Sequence, residues 1–427
     1  MTLSSFPLGV ALLAALATGI VILLLINLTG GEKRIETVLP RLYDADESAF
    51  RRSLSSLLGP QLLEGNRVEL LLNGDRIFPP MLEAISSARH TITFETFIYW
   101  SGQVGDAFAQ ALCERAQAGV RVHVLLDWVG SWKMDEALLD RLQSSKVEVR
   151  RFHKPHWSHW ARLNNRTHRK LLVVDGTVGF TGGVGSADQW LGDARSPEEW
   201  RDSHYRVQGP VVAQMQAVFL DTWMRATGQV LHGEDYFPKL TAVGNQAAQM
   251  FSSSPSGGSE SMHLMFMLAL TAAKSYIDLS ASYFVPDSLT IRTLEQAARR
   301  GVVVRVLLPN HHIDSVFVRK ASRASWGPLL RAGVQIAEYQ PTMYHNKCLV
   351  VDGRFVSVGS TNFDNRSFLL NDEANLNVLD SGFAERLHQV FEADWAKGKP
   401  ITLAMWRARP WRMKLKEQAA RLLRSQL

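Results

Sequence analysis

The feature that most constrains this 427-residue chain is a short polar pattern that occurs twice. Each copy joins a histidine, a lysine and an aspartate: His168, Lys170 and Asp175, and then His345, Lys347 and Asp352. Four apolar residues separate the lysine from the aspartate in both copies, which predicts a short buried strand. The histidine and the lysine project to the same face, because strand side chains alternate with a period of two. The repetition predicts two related halves.

The sequence around the two copies extends the repeat. An apolar, β-branched run follows Gly119 in the first half and Gly301 in the second, as expected where a helix ends and a buried strand begins. Trp223 and Trp395 lie in the helices that are predicted to close each half. The offsets between equivalent positions are 182, 177 and 172 residues, so insertions between the halves are short. A Ser- and Gly-rich stretch at 252–261 predicts a linker between two α/β units of about 170 residues each.

The net charge of +6 is concentrated at one end of the chain. Between Arg407 and Leu427, seven basic residues accompany one acid, so this tail carries the whole surplus. A charge-balanced body argues against a nucleic-acid binder, whose affinity comes from neutralising phosphates. The tail indicates an anionic surface as partner. Cys113 and Cys348 occupy non-equivalent places in the repeat, which argues against a disulfide framework and favours a reducing compartment.

Residues 7–28 form an uncharged, apolar stretch. Its 22 residues would span about 33 Å as a helix, enough to cross the apolar core of a bilayer. A cleaved signal peptide is the alternative, but the stretch lacks a basic start and a clear cleavage site. We therefore expect one retained transmembrane helix. Lys33, Arg34 and Arg41 follow it, which predicts a protein of the inner (cytoplasmic) membrane whose large C-terminal part is cytoplasmic.

Three further segments have compositions that suit a surface. In the connector, residues 32–65, apolar side chains recur at helical spacing at Phe50, Leu54, Leu57 and Leu58. That helix is expected either to pack on the body or to lie along the membrane. In the tail, Trp411, Leu415 and Leu422 share one helical face, again for packing or for anionic lipid. The run from Arg151 to Arg162 mixes His, Trp and basic residues; its spacing matches no metal-ligand set and suits a loop among lipid headgroups better.

The doubled pattern, with Gly359-Ser360-Thr361-Asn362 after its second copy, resembles the phospholipase D superfamily. An apolar N-terminal span, a basic tail and the segments at 201–210 and 368–375 are similar to the bacterial cardiolipin synthases within it. The resemblance covers residues 66–400 and implies an α/β fold of two pseudo-twofold-related α/β/α halves with mixed sheets that share one active site. The expected domains are a transmembrane anchor at 1–31, the connector at 32–65, the first half at 66–245, the second half at 246–400 and the basic tail at 401–427.

The resemblance also implies a mechanism that needs neither a metal nor a cofactor. His168 would attack the phosphodiester phosphorus and form a covalent phosphohistidine. His345 would protonate the leaving alkoxide and then take the proton of the incoming hydroxyl. Lys170 and Lys347 would hold the non-bridging oxygens, where negative charge grows in the transition state. The assignment of the nucleophile to His168 follows the family pattern, because the two copies look alike in sequence.

The residues that would assist this chemistry differ between the halves. Ser360 and Asn362 are expected to donate hydrogen bonds to the phosphate in the second half. The first half has Gly182, Gly183 and Gly185 where the family pattern has Gly, Ser and Asn. The two leading glycines still permit close approach of the backbone to a phosphate. The half-sites are therefore expected to be chemically unequal.

Four acids are assigned supporting roles. Glu373 lies 28 residues after the second motif histidine and is expected to fix the tautomer of that imidazole, as an acid at this spacing does in the family. Asp202, 34 residues after the first motif histidine, is the expected partner in the first half. Asp175 and Asp352 belong to the catalytic pattern, but we expect them to be structural groups at strand ends.

The leading hypothesis is a membrane-bound phosphatidyltransferase that makes cardiolipin from phosphatidylglycerol and a second phospholipid, with phosphatidylethanolamine as one option. The alternative is a phosphodiesterase of the phospholipase D type that hydrolyses phospholipid or nucleic acid; the charge-balanced body disfavours the nuclease. An inactive membrane scaffold is a third class, disfavoured because all six motif positions are intact. The expected partners are phospholipid substrates and an anionic membrane surface, with no nucleic acid, and the oligomeric state is left open.

Overall fold

The computed structural model describes residues 8–28, 35–152, 164–255 and 261–424. Two helices precede the body: α1 spans Leu8–Leu28 and α2 spans Ser48–Leu58. No helix within the described ranges combines the length and the hydropathy that a membrane span requires. The predicted boundaries of the domains and of the anchor therefore stay predictions.

The two halves repeat the same order of elements. The first half contains β1 (Leu63–Leu72), α3 (Asn73–Ser86), β2 (Thr91–Thr96), α4 (Gln103–Gln117), β3 (Arg121–Asp127), α5 (Glu136–Ser144), β4 (Glu148–Phe152), β5 (Arg166–Thr167), β6 (Leu171–Val174), β7 (Val178–Gly182), β8 (Ser203–Gln208) and α6 (Val212–Thr227). The second half contains β9 (Gln246–Ser253), α7 (Ser261–Ala272), β10 (Tyr276–Ser280), β11 (Phe284–Val285), α8 (Ser288–Arg299), β12 (Val303–Pro309), α9 (Val316–Ala324), α10 (Trp326–Arg331), β13 (Gln335–Tyr339), β14 (Cys348–Val351), β15 (Phe355–Gly359), β16 (Phe363–Asp364), α11 (Asn365–Leu369), β17 (Asn371–Leu379) and α12 (Ser381–Trp395). They are followed by β18 (Gly398–Ile401), α13 (Leu403–Arg407) and α14 (Trp411–Leu422).

One mixed sheet of 16 strands runs through both halves, in the order β18-β13-β12-β10-β14-β15-β17-β9-β1-β8-β7-β6-β2-β3-β4, with β5 paired to β17. The strand order is symmetric about the junction of β9 and β1. Equivalent strands of the two halves lie at equal distances from it: β9 corresponds to β1, β17 to β8, and β14 to β6. At the centre β1 and β9 pair antiparallel, with Asn66 opposite Gln246. The mixed sheets of the two halves are joined into one, because β1 and β9, each at the edge of its own half, pair with each other and leave no free edge there.

Alternation along the motif strands divides the core into layers. In β6, Leu172 and Val174 pack with α3, α4 and α5, whereas Leu171 and Val173 pack with α6. In β14, Val350 enters the same buried cluster as Val173, together with α6 and α12. This shared cluster lies beneath the junction of the two halves, so the sheet, its helices and the two motifs form one packed unit.

The two amphipathic segments both contact the body. In α2, Phe50, Leu54 and Leu58 are buried and Leu57 is exposed, so this helix packs on the second half. In α14 the buried positions are Glu417 and Ala420, which face α9 and neighbouring residues. Trp411, Leu415 and Leu422 on α14 are exposed, at 66%, 60% and 83%. The apolar face predicted from the sequence therefore points away from the body.

Candidate active site

Both motif histidines lie shortly before the strand of their motif. The backbone N–H of His168 donates to the carbonyl of Asp372, 2.8 Å away. The backbone N–H of His345 donates to the carbonyl of Arg201, also 2.8 Å away. Parallel pairing of β5 with β17 supports the first contact, and a bridge between Arg201 and Tyr344 supports the second. Each histidine is thus tied to the half of the chain that does not contain it.

The imidazole of His168 is bonded to the carboxylate of Glu373. Both carboxylate oxygens lie 3.0 Å from Nδ1 of the ring. Ser360 Oγ donates to Oε2 of Glu373 at 2.5 Å, and Asn371 Nδ2 donates to Oε1 at 3.2 Å. An ionised carboxylate only accepts hydrogen bonds, so Nδ1 carries the hydrogen and Nε2 carries the lone pair. Nε2 of His168 is therefore the nitrogen that can act as a nucleophile.

The imidazole of His345 is bonded to the carboxylate of Asp202. Its Nδ1 lies 2.7 Å from Oδ2 of Asp202. Trp190 Nε1 donates to the same oxygen at 2.9 Å, and the backbone N–H of Ser203 donates to Oδ1 at 2.8 Å. The rings of Trp190 and Trp200 pack on the imidazole, with centroids 5.3 Å and 5.2 Å away. Nε2 of His345 again carries the lone pair.

The two imidazole–carboxylate pairs are crossed, and the pairing expected from the sequence is wrong. The sequence pairs Glu373 with His345 and Asp202 with His168, each within one half. In the structure Glu373 holds His168, and Asp202 holds His345. The cause is the register at the junction, where each acid follows the residue whose carbonyl binds the histidine of the other half. Spacing along the chain carries no information about which half supplies a neighbour across such a junction.

The two lysines turn back toward the histidines of their own motifs. Lys170 Nζ donates to the carbonyl oxygen of His168 at 2.7 Å. Lys347 Nζ donates to the carbonyl oxygen of His345 at 2.8 Å and to Oγ of Ser282 at 2.6 Å. Both ammonium groups are buried, and Lys347 Nζ lies 3.2 Å from both ring nitrogens of its histidine. They supply positive charge beside the imidazoles, as the motif predicts.

Burial and the lysine charges keep both histidines neutral. Burial is the main cause that lowers the pKa of His168 to about 4, although Glu373 opposes the change. Burial, followed by the charge of Lys347, also lowers the pKa of His345. Neutral imidazoles retain the lone pair that attack on phosphorus requires.

Burial likewise weakens the charge of the lysines, while the acids keep theirs. Burial lowers the pKa of Lys170 to about 7 and that of Lys347 to about 8. Burial, the largest single cause, opposes ionisation of Glu373 and Asp202, but the bonded histidines, the lysine charges and the other hydrogen bonds together outweigh it, and the pKa of each carboxyl is lowered. The site thus contains two carboxylates and two ammonium groups whose charges offset one another in a desolvated space.

Asp175 and Asp352 do not join the histidines, which corrects their place in the catalytic pattern and supports the structural role. They follow the far ends of β6 and β14, in turns with φ of 50° and 52°. The Asp175 carboxylate accepts from the backbone N–H groups of residues 89–91 at 2.7–2.9 Å. Asp352 accepts in the same way from residues 274–276 at 2.7–2.8 Å. Each aspartate fixes the start of the neighbouring strand, β2 or β10.

The residues assigned to phosphate binding divide into two groups. Ser360 gives its hydroxyl hydrogen to Glu373 and accepts from the N–H of Ala374 at 3.0 Å, so it supports the carboxylate. A Cβ on Gly183 would lie 2.3 Å from the Asp202 carboxylate, and one on Gly182 would lie 2.6 Å from the β8 backbone. These glycines make room for the acid of the site. Oδ1 of Asn362 is buried and has no hydrogen-bond partner among the described residues, so that side chain stays a candidate for substrate binding.

Two buried arginines that the sequence reasoning missed join the halves. Arg169, between the motif histidine and lysine, donates to the carbonyl oxygens of Val218 and Glu373 at 3.0 Å and 3.3 Å. Arg201 pairs with Asp394 at 2.8 Å. Arg169 thus holds the backbone of Glu373 across the junction, and Arg201, the residue before Asp202, is linked to a carboxylate of the second half.

Within the described ranges, no three or more His, Cys, Asp or Glu side chains lie close enough together to hold a metal ion. Most of the His- and Trp-containing run between Arg151 and Arg162 lies outside the described residues. The side chains of His168 and His345 are 12% and 10% exposed, so both rings reach the surface of the site.

Comparison with known proteins gives consistent matches in sequence. The family model described as "Cardiolipin synthase, PLD-like domain" matches residues 81–220 and 267–395. The cardiolipin synthase of Geobacillus kaustophilus (strain HTA426) is 34% identical over 363 residues, which cover 84% of this chain and 72% of that protein. Cardiolipin synthase A of Pseudomonas syringae pv. syringae (strain B728a) is 34% identical over 358 residues, 83% of this chain and 74% of that protein.

Solved structures share the fold at low sequence identity. The phosphatidylserine synthase of Haemophilus influenzae Rd KW20 superposes with a TM-score of 0.67 and 13% identity, covering 89% of this chain and 100% of that one. The polyphosphate kinase of Porphyromonas gingivalis gives a TM-score of 0.53 at 13% identity, covering 91% of this chain and 57% of that one. At such identities the matches establish a shared fold of the mixed α/β type.

Proposed function

The chain belongs to the cardiolipin synthase, phospholipase D-like domain family, and from this premise we propose that it is a phosphatidyltransferase that makes cardiolipin from phosphatidylglycerol and a second phospholipid. The single observation that carries the proposal is the pair of crossed imidazole–carboxylate contacts. Each places a hydrogen on Nδ1 and leaves Nε2 free, and two lysines stand beside them. Nucleophile, acid–base group and charge neutralisation for phosphodiester exchange are thus held together.

In the first step, Nε2 of His168 attacks the phosphorus of the donor phospholipid. An N–P bond forms, and the bond between phosphorus and the headgroup oxygen breaks with its electron pair on that oxygen. The negative charge of the bound phosphodiester favours the imidazolium form of His345, which gives the departing oxygen its proton. Lys170 and Lys347 neutralise the non-bridging oxygens as charge grows on them.

In the second step, a hydroxyl of phosphatidylglycerol attacks the phosphohistidine. His345, neutral after the first step, takes the proton of that hydroxyl as the new P–O bond forms and the N–P bond breaks. His168 regains its lone pair, and Glu373 stabilises the positive charge that the ring carries while it is phosphorylated. Water in place of the acceptor lipid would give phosphatidic acid, which is the hydrolase alternative.

A product assay on the purified full chain in phosphatidylglycerol bilayers tests the proposal. We expect cardiolipin and glycerol, with both products lost in His168→Ala and in His345→Ala. Samples labelled at the phosphorus of phosphatidylglycerol and denatured at neutral to alkaline pH, which preserves the acid-labile N–P bond, should contain label on wild-type protein and none on His168→Ala. Lys146→Ala, at an exposed turn away from the motifs, is the matched control and should make both products at the wild-type rate.

The remaining outcomes separate the alternatives. Phosphatidic acid as the main product would replace the transferase with a phospholipid hydrolase. Cleavage of nucleic acid with no lipid product would overturn the lipid substrate altogether. Addition of phosphatidylethanolamine identifies the second phospholipid: ethanolamine release together with more cardiolipin would assign it as a donor.

Membrane attachment is proposed as a finer part of this function. α1 contributes 21 uncharged residues, and its apolar side chains at Leu12, Leu13 and Leu16 are 64%, 68% and 63% exposed. These features support α1 as the single-pass anchor in the cytoplasmic membrane, and Lys33 and Arg34 after it support a site on the cytoplasmic side. α14 supports a second contact, since the exposed Trp411 and Leu415 stand among exposed basic residues that suit anionic lipid.

Flotation with vesicles tests the two contacts separately. Without residues 1–34, binding should fall strongly, and what is left should require anionic lipid and decrease with salt. Trp411→Ala with Leu415→Ala should remove that remainder, whereas Leu57→Ala, an equally exposed apolar change on α2, should leave it intact. Full binding after loss of residues 1–34 would refute the anchor.

A further inference from the structure

The carboxylate that holds His345 is itself held by an indole. Trp190 is 1% exposed and ends a short 3₁₀ turn that spans Asp188–Trp190. Its Nε1–H donates to Oδ2 of Asp202 at 2.9 Å, and that oxygen also accepts Nδ1 of His345 at 2.7 Å. Indole, carboxylate and imidazole therefore form one buried chain of hydrogen bonds.

The other half-site uses a hydroxyl for the same task. There Ser360 donates to Glu373 at 2.5 Å. The position equivalent to Ser360 is Gly183, where a Cβ would lie 2.3 Å from the Asp202 carboxylate. The position equivalent to Asn362 is Gly185, where a Cβ would lie 3.2 Å from the Trp190 ring. The indole thus lies against the space that a side chain at 185 would need, and a side chain at 183 would collide with the Asp202 carboxylate unless that group moved.

We propose that Trp190 is the positioning residue of the half-site that contains His345. Its indole N–H replaces the serine hydroxyl, holds Asp202 against His345 and so sets the rate of proton transfer by His345. The inference rests on the proposed function in one respect, the role of His345 as acid and base. It explains why a half-site without the Ser and Asn of the family pattern still presents an oriented imidazole. If the Trp190 ring only filled space, its N–H would have no reason to donate a hydrogen bond to the Asp202 carboxylate.

The leaving group distinguishes this role from a general effect on the site. An alkoxide leaves phosphorus only when it receives a proton, so its departure depends on His345. A 4-nitrophenolate leaves with its electron pair and needs no proton, because its charge is delocalised over the ring. Its release from phosphatidyl-4-nitrophenol therefore reports attack by His168 alone. Transfer from phosphatidylglycerol reports both histidines.

The test compares these two reactions in Trp190→Phe and in a variant with benzothienylalanine at position 190, which keeps the two-ring shape and lacks the N–H. For both variants we expect kcat for transfer from phosphatidylglycerol to fall about tenfold with KM within about twofold, the scale of one hydrogen bond to a charged group. The first burst of 4-nitrophenolate should keep its wild-type rate. Trp406→Phe is the matched control, because it loses an indole hydrogen bond of 2.7 Å, to a backbone carbonyl outside the site.

Two outcomes would overturn the inference. Wild-type transfer by the benzothienylalanine variant would show that the ring matters and its N–H does not. An equal fall in both reactions, with unchanged thermal melting, would place Trp190 on the His168 step. A wild-type enzyme that releases phosphatidic acid in place of cardiolipin would refute the proposed transferase, yet the ratio of the two reactions would still decide the role of Trp190.

Discussion

The two half-sites contain the same histidine and lysine but orient their carboxylates by different means. Glu373 is held by the hydroxyl of Ser360 and the amide of Asn371. Asp202 is held by the indole of Trp190 and a backbone N–H. The two acids differ by one methylene group, and the groups that donate hydrogen bonds to them are of different kinds. In both half-sites, Nδ1 of the imidazole nevertheless bonds to a buried carboxylate. The requirement is an oriented imidazole, and a chain can meet it with donors from unrelated positions.

The largest effects are expected from removing either carboxylate charge. Glu373→Gln and Asp202→Asn should each lower kcat for transfer by about a thousandfold, because an amide favours the wrong tautomer of its histidine. Crossed pairing predicts that only Glu373→Gln abolishes the 4-nitrophenolate burst, since His168 is the attacking ring in the proposed mechanism. If the burst were lost in Asp202→Asn and kept in Glu373→Gln, the result would contradict crossed pairing and support pairing of each histidine with the acid of its own half.

A smaller, unequal effect is expected at the two equivalent positions that support the acids. Gly183→Ala places a methyl group within 2.3 Å of the Asp202 carboxylate, so the acid must move and kcat should fall about a hundredfold. Ser360→Ala removes one donor from Glu373 and should cost about tenfold. Steady-state rates, with thermal melting as a check on folding, measure both. Equal losses of kcat would mean that Asp202 and Glu373 depend equally on the residue at this position.

The lysines of the two half-sites should lose their charge at different pH values. The pKa of Lys170 is lowered to about 7 and that of Lys347 to about 8, and each ammonium is charged only below its pKa. For the free enzyme, kcat/KM should therefore decrease as pH rises, with a slope of about −1 between these values and about −2 above both. A profile measured on phosphatidylglycerol vesicles from about pH 6 to 9 tests this. A flat profile would show that the charges are not needed.

The smallest effects on catalysis, and equal ones, are expected at the motif aspartates. Asp175→Asn and Asp352→Asn each replace a carboxylate that accepts hydrogen bonds from three backbone N–H groups at a strand start, and the amide accepts fewer and weaker ones. Each should lower the free energy of unfolding by about 1–3 kcal/mol and leave kcat of the folded protein within about twofold. Denaturant titration and rates at low temperature measure the two quantities. Loss of kcat in either variant would return that aspartate to the chemistry.

Much of the chain was predictable because its signals are local. The four-residue apolar runs became β6 and β14, and the helical spacing of Phe50, Leu54 and Leu58 became α2. The repeat also predicted the family, since its two copies supply the same histidine and lysine. Such patterns depend on side-chain alternation and on burial of one face, which act between residues that are close in sequence.

The sequence by itself predicted the groups that the structure brings together in the candidate site: two histidines, two lysines and two acids within a repeated α/β chain. Only the tertiary structure decided their partners. The single sheet brings Glu373 to His168 and Asp202 to His345, fills the place of a missing serine with Trp190 and turns the apolar face of α14 outward. Those outcomes depend on the backbone contacts of His168 with Asp372 and of His345 with Arg201, and on the space left between packed side chains. Both are properties of residues far apart in the chain, and no spacing along it encodes them.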